Sequence, residues 1–428
     1  MAVMTETEAG SRPTFNDPVL HEQIMRMRVV DNRTNLLYLA GEILGIAAVA
    51  GAAIAFFEVR AGWGLAWGWN VPVAAIAVVL LGGFQHRLAG LGHEASHYTL
   101  VRNKFLNDLI GDLFCMFPIL ATLHFYRVFH LAHHQFTNDP ERDPDLVSLG
   151  GSKMVERFPM SSRWAFARAV YLRGFTEPRS VFRYVTDYMA INTLGSAPNE
   201  YLKRVPGADA DGRVWPRTAA ALGIVYLLAF MAGTYTLPRA GLADWLVPFG
   251  FAGAALVLSV GNLLPARAFF PSPFRQPYST RFGGVLRLLF YTALLTGLAV
   301  LRGYTGGRST AYFWLLWLLP LNTSFPFFML LRDVYQHTNA DDGRLTNSRV
   351  FYPDPFTRWA VFVYGQDMHI PHHLFPAIPH YRLPGLHALL KSEHNAYATQ
   401  VVECHGTFAN DDGRPTILDV LCERGEDV

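Results

Sequence analysis

Residues 36–57 read LLYLAGEILGIAAVAGAAIAFF, an apolar run of membrane-spanning length with one charged residue, Glu42. A helix needs about 20 such residues to cross the hydrocarbon core of a bilayer. Similar runs recur along the chain, and they predict six spans at about 36–57, 71–92, 218–237, 245–261, 285–301 and 311–331. The sequence therefore predicts an all-α, polytopic integral membrane protein.

The composition of the 428-residue chain supports this prediction. Charged residues make up 16% of it, against about 25% in soluble proteins, and hydrophobic residues make up 51%. The formal net charge of +2 provides no field of one sign, so we expect no nucleic-acid partner. Three cysteines without CxxC spacing are too few for a disulfide framework.

We expect three parts: a cytosolic N-terminal segment (1–35), a membrane domain (36–391) and a polar C-terminal tail (392–428). Inside the membrane domain, residues 105–123 are apolar overall but contain two aspartates and a proline. A carboxylate at the bilayer centre costs about 3 kcal/mol. We therefore predict a re-entrant hairpin there and no seventh span.

The distribution of basic residues predicts the orientation. Arg and Lys concentrate in residues 135–216, whereas the connections around Arg60, around Arg239 and between residues 302 and 308 carry few. The positive-inside rule then places the long stretch and both termini in the cytoplasm. The basic residues are nearly all Arg, which is typical of a GC-rich bacterial genome. We therefore expect a bacterial inner membrane protein whose active site faces the cytoplasm.

Histidine clusters are the most informative motifs in the chain. They read HEASH (93–97), HLAHH (130–134) and HIPHH (369–373). On a helix, residues three or four apart share one face, so each cluster directs two or three imidazoles the same way. Neutral imidazole is a common ligand of transition metals. The candidate ligands in the three clusters are His93, His97, His130, His133, His134, His369, His372 and His373.

Topology allows the three clusters to meet. Four predicted spans separate the second cluster from the third, and an even number returns the chain to the same side. The hairpin keeps the first and second clusters together. Eight imidazoles exceed the needs of one metal ion, so we predict two metals with open positions, and non-haem iron suits both imidazole and O₂.

Further candidates lie near the clusters. His337 follows the last span directly and is a candidate ninth ligand, and Asp333 lies one helical turn before it. Asp333 could bind metal through water or hydrogen-bond a ligand imidazole. Carboxylates usually fix the orientation of metal-binding histidines, and we assign this role to four more acidic residues: Glu94, Asp143, Asp145 and Asp367.

The order HxxxH, HxxHH, HxxHH on a multi-span chain resembles the membrane fatty acid desaturase and hydroxylase superfamily, most closely its acyl-lipid desaturase branch. The context of the boxes is also similar, in Gly92-His-Glu94, in His134-Gln-Phe-Thr137 followed by Asp143-Pro-Asp145, and in His373-Leu-Phe-Pro376. The resemblance covers about residues 80–395.

This resemblance implies a di-iron enzyme that uses O₂ to desaturate the acyl chain of a lipid or thioester. It implies that the nine histidines, His337 included, bind iron, and that no further residue is catalytic. Two electrons would come from a ferredoxin or a cytochrome b5. No His-Pro-Gly-Gly haem motif is present, so we expect a separate electron carrier. Pro371 and Asp367 depart from the common pattern of the family and leave the substrate open.

Two alternatives remain. A hydroxylase or ketolase of the same superfamily would act on a lipid or terpenoid substrate, and the sequence does not separate these outcomes. A membrane metal transporter or sensor is the alternative from another class. Transporters place ionisable ligands at the midplane of broken spans, whereas the clean spans here carry almost none.

Overall fold

The computed structural model of the chain describes residues 15, 17–148, 158–195, 197–215 and 217–422. This part is mostly helical, and its two short strands form one parallel sheet. Six helical segments are long and apolar enough to cross a membrane. The predicted all-α integral membrane fold is therefore confirmed.

The N-terminal helices are α1 (Pro18–Met27), α2 (Thr34–Val59) and α3 (Asn70–Ser96), the last preceded by a 3-10 turn at Trp67–Trp69. The charged residue of the first span is paired, because Glu42 Oε1 lies 2.7 Å from Nη2 of Arg87 on α3. Along α3 the environment changes: Ile76 is exposed, whereas Leu91 is completely buried. The first half of α3 therefore leaves part of its apolar surface exposed, as a lipid-facing helix does, and its second half enters the protein core.

The next segment is a sharply bent hairpin. It comprises α4 (Lys104–Ile110), a π turn (Gly111–Met116), a 3-10 turn (Phe117–Ile119) and α5 (Leu123–Phe136). The two arms meet at 92°. Asp108 Oδ1 lies 2.6 Å from Arg127 Nη2, and both side chains are buried. Asp112 accepts a hydrogen bond from the backbone N–H of Leu123. The aspartates that argue against a span thus hold the hairpin together.

Short helices follow in the basic stretch: α6 (Pro144–Ser148), α7 (Arg163–Phe166), a π turn (Ala167–Tyr171), α8 (Arg173–Thr176) and α9 (Pro178–Leu194). Trp164, Phe175 and Phe182 are strongly exposed on these elements. Exposed aromatic rings between basic residues suit a segment that lies on a membrane surface.

The remaining spans are built from α10 (Thr218–Arg239), α11 (Leu246–Leu263), α12 (Thr280–Tyr304), α13 (Arg308–Phe313), α14 (Leu319–Asn322) and α15 (Ser324–His337). A 3-10 turn at Ala243–Trp245 precedes α11, and a π turn at Trp314–Leu318 joins α13 to α14. Val225, Leu228 and Phe251 are each more than 60% exposed. Such apolar surface is stable where lipid covers it.

The C-terminal region forms a packed cap. Its elements are β1 (Val350–Tyr352), α16 (Pro355–Ala360), α17 (His369–Leu374), α18 (Leu383–Glu393), α19 (Asn395–Gln400), β2 (Glu403–His405) and α20 (Ile417–Leu421). β1 pairs with β2 in parallel, with Phe351 opposite Cys404. Leu20 and Ile24 of α1 pack into the same core as α18. Much of the expected polar tail (392–428) is therefore part of the cap.

Two of the spans continue beyond their apolar runs. α3 ends at Ser96, where the apolar run predicts about residue 92, and α15 ends at His337, where it predicts about 331. These extra turns are buried in the cap, so they need no lipid around them. They carry histidines of the first cluster and the ninth candidate ligand.

Candidate metal centre

All nine predicted histidine ligands lie at helix ends that meet in the cap. His93 is in the last turn of α3 and His97 follows as its C-cap residue. The second cluster occupies the C-terminal turns of α5, and the third forms most of α17. His337 is the last residue of α15. Four helices thus bring together side chains that are far apart in sequence.

Five of the imidazoles form one group, here called the five-histidine group. Each ring contributes one nitrogen, and these nitrogens lie within 4.8 Å of one another. Along the group, consecutive Nε2 atoms are 2.9, 3.0, 3.1 and 3.0 Å apart. In that order the members are His97, His130, His134, His372 and His93.

The other four form a second group, the four-histidine group: His133, His337, His369 and His373. Their ligand nitrogens also lie within 4.8 Å of one another. His369 Nε2 is 2.9 Å from His337 Nε2 and 3.0 Å from His373 Nε2. The rings of His133 and His337 are 4.7 Å apart between centroids and nearly perpendicular.

Each HxxHH box serves both groups. The second box gives His130 and His134, four residues apart, to the five-histidine group and His133 to the other. The third box reverses this pattern, because His369 and His373 join the four-histidine group. The first and last histidines of a box are four residues apart and project from nearly the same side of the helix. The middle histidine precedes the last one directly and projects about 100° away from it. Each box is therefore a bridge between two sites.

The geometry of both groups fits bound metal ions. Imidazole nitrogens bind transition metals at about 2.1 Å, so two ligands at right angles are about 3.0 Å apart. A neutral imidazole has only one N–H donor, so five converging rings cannot all satisfy one another by hydrogen bonds. A central cation accepts every lone pair at once. The donor set, nitrogen without sulfur, suits iron, zinc or copper.

Burial favours the metal-binding form of these rings. Desolvation, together with the neighbouring rings, lowers the pKa of most of the ligands well below 6.5, so they are neutral at pH 7. Metal binding requires the neutral imidazole. The rings for which this holds are His97, His130, His134, His369, His372 and His373.

His133 has the opposite shift. Burial lowers its pKa, but Asp143 and Asp145 outweigh that effect and raise the pKa to about 9. His133 Nδ1 lies 3.0 Å from Asp143 Oδ1 and 3.3 Å from Asp145 Oδ2. Asp143 is itself fixed by the backbone N–H groups of Asn138 and Asp145, at 2.8 and 3.0 Å. The two carboxylates therefore orient His133 and direct its Nε2 atom away from them.

Two further neighbours of the four-histidine group are not evident from the sequence. Asn347 places its carbonyl oxygen 3.2 Å from His337 Nδ1. The hydroxyl of Thr137 lies 3.2 Å from His373 Nδ1 and donates to the carbonyl of His133. Thr137 follows the second box closely, which is the only local signal for it. Asn347 lies in a loop that no motif marks.

The other predicted carboxylates have different surroundings. Glu94 Oε1 is 3.7 Å from His93 Nδ1, and its Oε2 atom accepts from Thr99 and from the backbone of His380. Asp333 Oδ1 forms an ion pair with Arg332 at 2.5 Å. Asp367 pairs with Arg358 at 3.0 Å. The hydrogen bonds of Asp333 and Asp367 thus lead to arginines, where the sequence predicts imidazoles.

An apolar cavity of about 910 Å³ lies beside the hairpin, α10 and α12. Val260, Leu288 and Phe125 are among its lining residues, and His124 at the start of α5 also reaches it. The lining contains none of the nine clustered histidines. The cavity suits a hydrocarbon chain but lies outside the two histidine groups.

The chain is similar in sequence to a known protein family. A family model described as fatty acid desaturase matches residues 69–293 and 263–403, and the two ranges together cover most of the chain. The matched region includes the three histidine clusters and His337.

Several characterised proteins are similar over shorter stretches. Dihydrorhizobitoxine desaturase of Bradyrhizobium elkanii is 33% identical over 34% of this chain and 38% of its own length. A Delta 8-(E)-sphingolipid desaturase of Emericella nidulans is 29% identical over 29% of this chain and 21% of its own. An sn-1 oleoyl-lipid 12-desaturase of Anabaena variabilis is 34% identical over 22% and 30%. The chain thus spans well under half the length of these relatives.

Proposed function

The chain belongs to the fatty acid desaturase family, and from this premise we propose that it is a membrane oxidoreductase that desaturates an acyl chain. The observation that carries the proposal is the convergence of nine histidines into two adjacent groups in the cap. The names of the similar proteins point the same way, since all three are desaturases.

We assign one iron ion to each group. His93, His97, His130, His134 and His372 would bind the first, and His133, His337, His369 and His373 the second. Bound iron would supply the activation of O₂ that removes two hydrogens from the chain. In the balanced reaction, O₂ accepts two electrons from the C–H bonds and two from a carrier and, with two added protons, leaves as two molecules of water.

The residues of this chain hold the ligands and keep solvent away. Asp143 and Asp145 fix the ring of His133, and a carboxylate on Nδ1 strengthens the donor at Nε2. Six of the nine rings would be neutral without help, because burial and the neighbouring rings lower their pKa well below 6.5. Exclusion of water also protects a strong oxidant from side reactions.

The membrane arrangement supports a lipid substrate. Six spans and a re-entrant hairpin would bring all three boxes to one side of the membrane, and the positive-inside rule favours the cytoplasm for that side. We propose that an acyl lipid enters from the bilayer and that a separate ferredoxin or cytochrome b5 type carrier docks on the cytoplasmic cap. A bacterial inner membrane is the location that fits best.

Lipid profiling tests the proposal directly. A bacterial host is compared with and without the gene, and its lipids are analysed by mass spectrometry. We expect products that lack two hydrogens and that disappear when His133 is replaced by Ala. Gain of one oxygen would identify a hydroxylase, and an unchanged profile together with freely exchangeable metal would favour a transporter.

A further inference from the structure

A second set of polar side chains lies next to the histidine groups. Apart from Asp145, which also orients His133, the proposed chemistry does not use these side chains. We call this set the interior polar cluster: Tyr126, Asp145, Tyr184, Tyr188, Arg332 and Asp333. Three helices and the short α6 contribute to it, namely α5, α9 and α15. Each of its tyrosines interacts electrostatically with Arg332, Asp333 and Asp145.

The cluster lies directly beside the histidine groups. Tyr126 precedes His130 by one helical turn, and their rings stack at 5.2 Å between centroids. Asp333 precedes His337 by one turn on α15. Tyr126 and Asp333 therefore lie about 6 Å along their helix axes from a ligand of each histidine group. A substrate chain that reaches the two groups would lie near them.

An apolar substrate would not need such surroundings. Arg332 and Asp333 form an ion pair, with side chains 14% and 21% exposed. Burying an ion pair and phenol groups beside a hydrocarbon path costs free energy, because the path offers them no hydrogen bonds in place of those to water. A path for a plain methylene chain is more stable with an apolar lining.

Tyr184 provides the decisive observation. Its side chain is 7% exposed, and its buried hydroxyl has no hydrogen-bond partner among the described residues. The ring packs beside Tyr188, at 6.3 Å between centroids. A buried hydroxyl without a partner lowers stability, and phenylalanine at this position would avoid that cost. The hydroxyl is explained if a bound molecule completes its hydrogen bond.

We propose that the interior polar cluster binds a hydrogen-bonding group of the substrate, a hydroxyl, amide or amine, a few bonds from the carbons that lose hydrogen. The inference rests on the proposed desaturase function and narrows its substrate class. The phenol groups and carboxylates accept hydrogen bonds from such a group, and the paired guanidinium donates to its oxygen atoms. Tyr184 is thus a substrate-positioning residue.

The test compares three C18 probes in nanodiscs with the iron-loaded protein and an added electron donor. The probes are distearoylphosphatidylcholine, its 12-hydroxystearoyl analogue, and N-stearoyl-dihydrosphingosine, whose long-chain base carries hydroxyls and an amide. We expect kcat/KM to be at least about tenfold higher for one of the two polar probes than for the plain chain. Equal or higher kcat/KM on the plain chain would overturn this inference alone.

Tyr184→Phe separates binding from a structural role. If the hydroxyl serves the substrate, the variant keeps or gains thermal stability, and KM for the polar probe rises about threefold to tenfold, as expected for one hydrogen bond. KM for the plain-chain probe stays unchanged. An unchanged KM for the polar probe shows that the hydroxyl serves at most an internal water, and it overturns the inference.

Tyr397→Phe is the matched control, since its hydroxyl lies 2.7 Å from His387 Nδ1 in the cap. This variant should lose stability and leave the preference between probes unchanged. If the wild-type protein desaturates none of the probes and no host lipid, the proposed function itself fails. That outcome is distinct from activity without preference for a polar probe.

Discussion

The five-histidine and four-histidine groups are built from the same two boxes, yet their charged surroundings differ. In the four-histidine group, two carboxylates lie within 3.3 Å of His133 Nδ1. In the five-histidine group, the carboxylate contact is Glu94, at 3.7 Å from His93 Nδ1. One group therefore has more donors, and the other has a donor strengthened by negative charge. The two groups therefore differ in what they would offer a metal ion, a larger number of ligands in one and a more basic ligand in the other.

The largest effect is expected from removing one ligand of each group. His369→Ala leaves three imidazoles in the four-histidine group, whereas His134→Ala leaves four in the other. We expect His369→Ala to lose about one of two irons and product formation to fall at least about 100-fold. The His134→Ala variant should retain more iron than the His369→Ala variant. Metal analysis of the purified proteins and product analysis measure both quantities.

The control for these variants is His21→Ala, because His21 is exposed on α1. It should keep both irons and full activity. Equal iron loss from the two ligand variants would mean that the fifth imidazole adds nothing, and the comparison between the groups would not hold.

Asp143→Asn tests whether the carboxylate of Asp143 strengthens metal binding by His133. The substitution keeps the size of the side chain but removes the negative charge beside His133. We expect iron affinity at the four-histidine group to fall about 10- to 100-fold, while the other group is unaffected. Iron titration of metal-free protein measures this change. Asp139→Asn is the matched control, because Asp139 pairs with the exposed Arg142.

Glu94→Gln tests the 3.7 Å contact between Glu94 and His93. We expect less than a tenfold change in iron affinity, since Glu94 is 3.7 Å from the imidazole. The stability should fall by about 1 to 3 kcal/mol, because the buried carboxylate also holds Thr99 and the backbone of His380. Thermal unfolding and iron titration separate the two effects. Glu393→Gln, at an exposed position, should change neither.

Arg358→Ala should have the smallest effect. It removes the ion-pair partner of Asp367, and the arginine side chain is 61% exposed. We expect a loss of about 1 kcal/mol or less and no change in iron content. Burial raises the pKa of Asp367 and Arg358 lowers it, so the variant should raise this pKa further. A marked loss of iron would instead show that Asp367 supports the ligands of α17.

The membrane fold and the set of histidines could be predicted from the sequence because their signals are local. Apolar runs such as 36–57 follow from the thickness of the bilayer, and the spacing within each box follows from the helical period. The parity of the spans was enough to predict that the boxes share one side.

The division of the ligands between two sites follows partly from the helical period, but it was not predicted from the sequence. Helical geometry places His133 about 100° from His134, yet the partners of each ring depend on how α5 and α17 cross. The roles of the carboxylates depend on tertiary structure even more strongly. Asp143 reaches an imidazole through a loop, whereas the neighbours of Asp333 and Asp367 are arginines that no spacing rule identifies.

The bridging arrangement of the two HxxHH boxes has a consequence for how this architecture can change. Inserting one residue between His130 and His133 would turn the end of α5 by about 100° and misplace donors of both sites together. A change in the backbone of one box would therefore disturb both sites at once, whereas a substitution of one side chain can weaken a single site. The backbones of α5 and α17 thus couple the two sites.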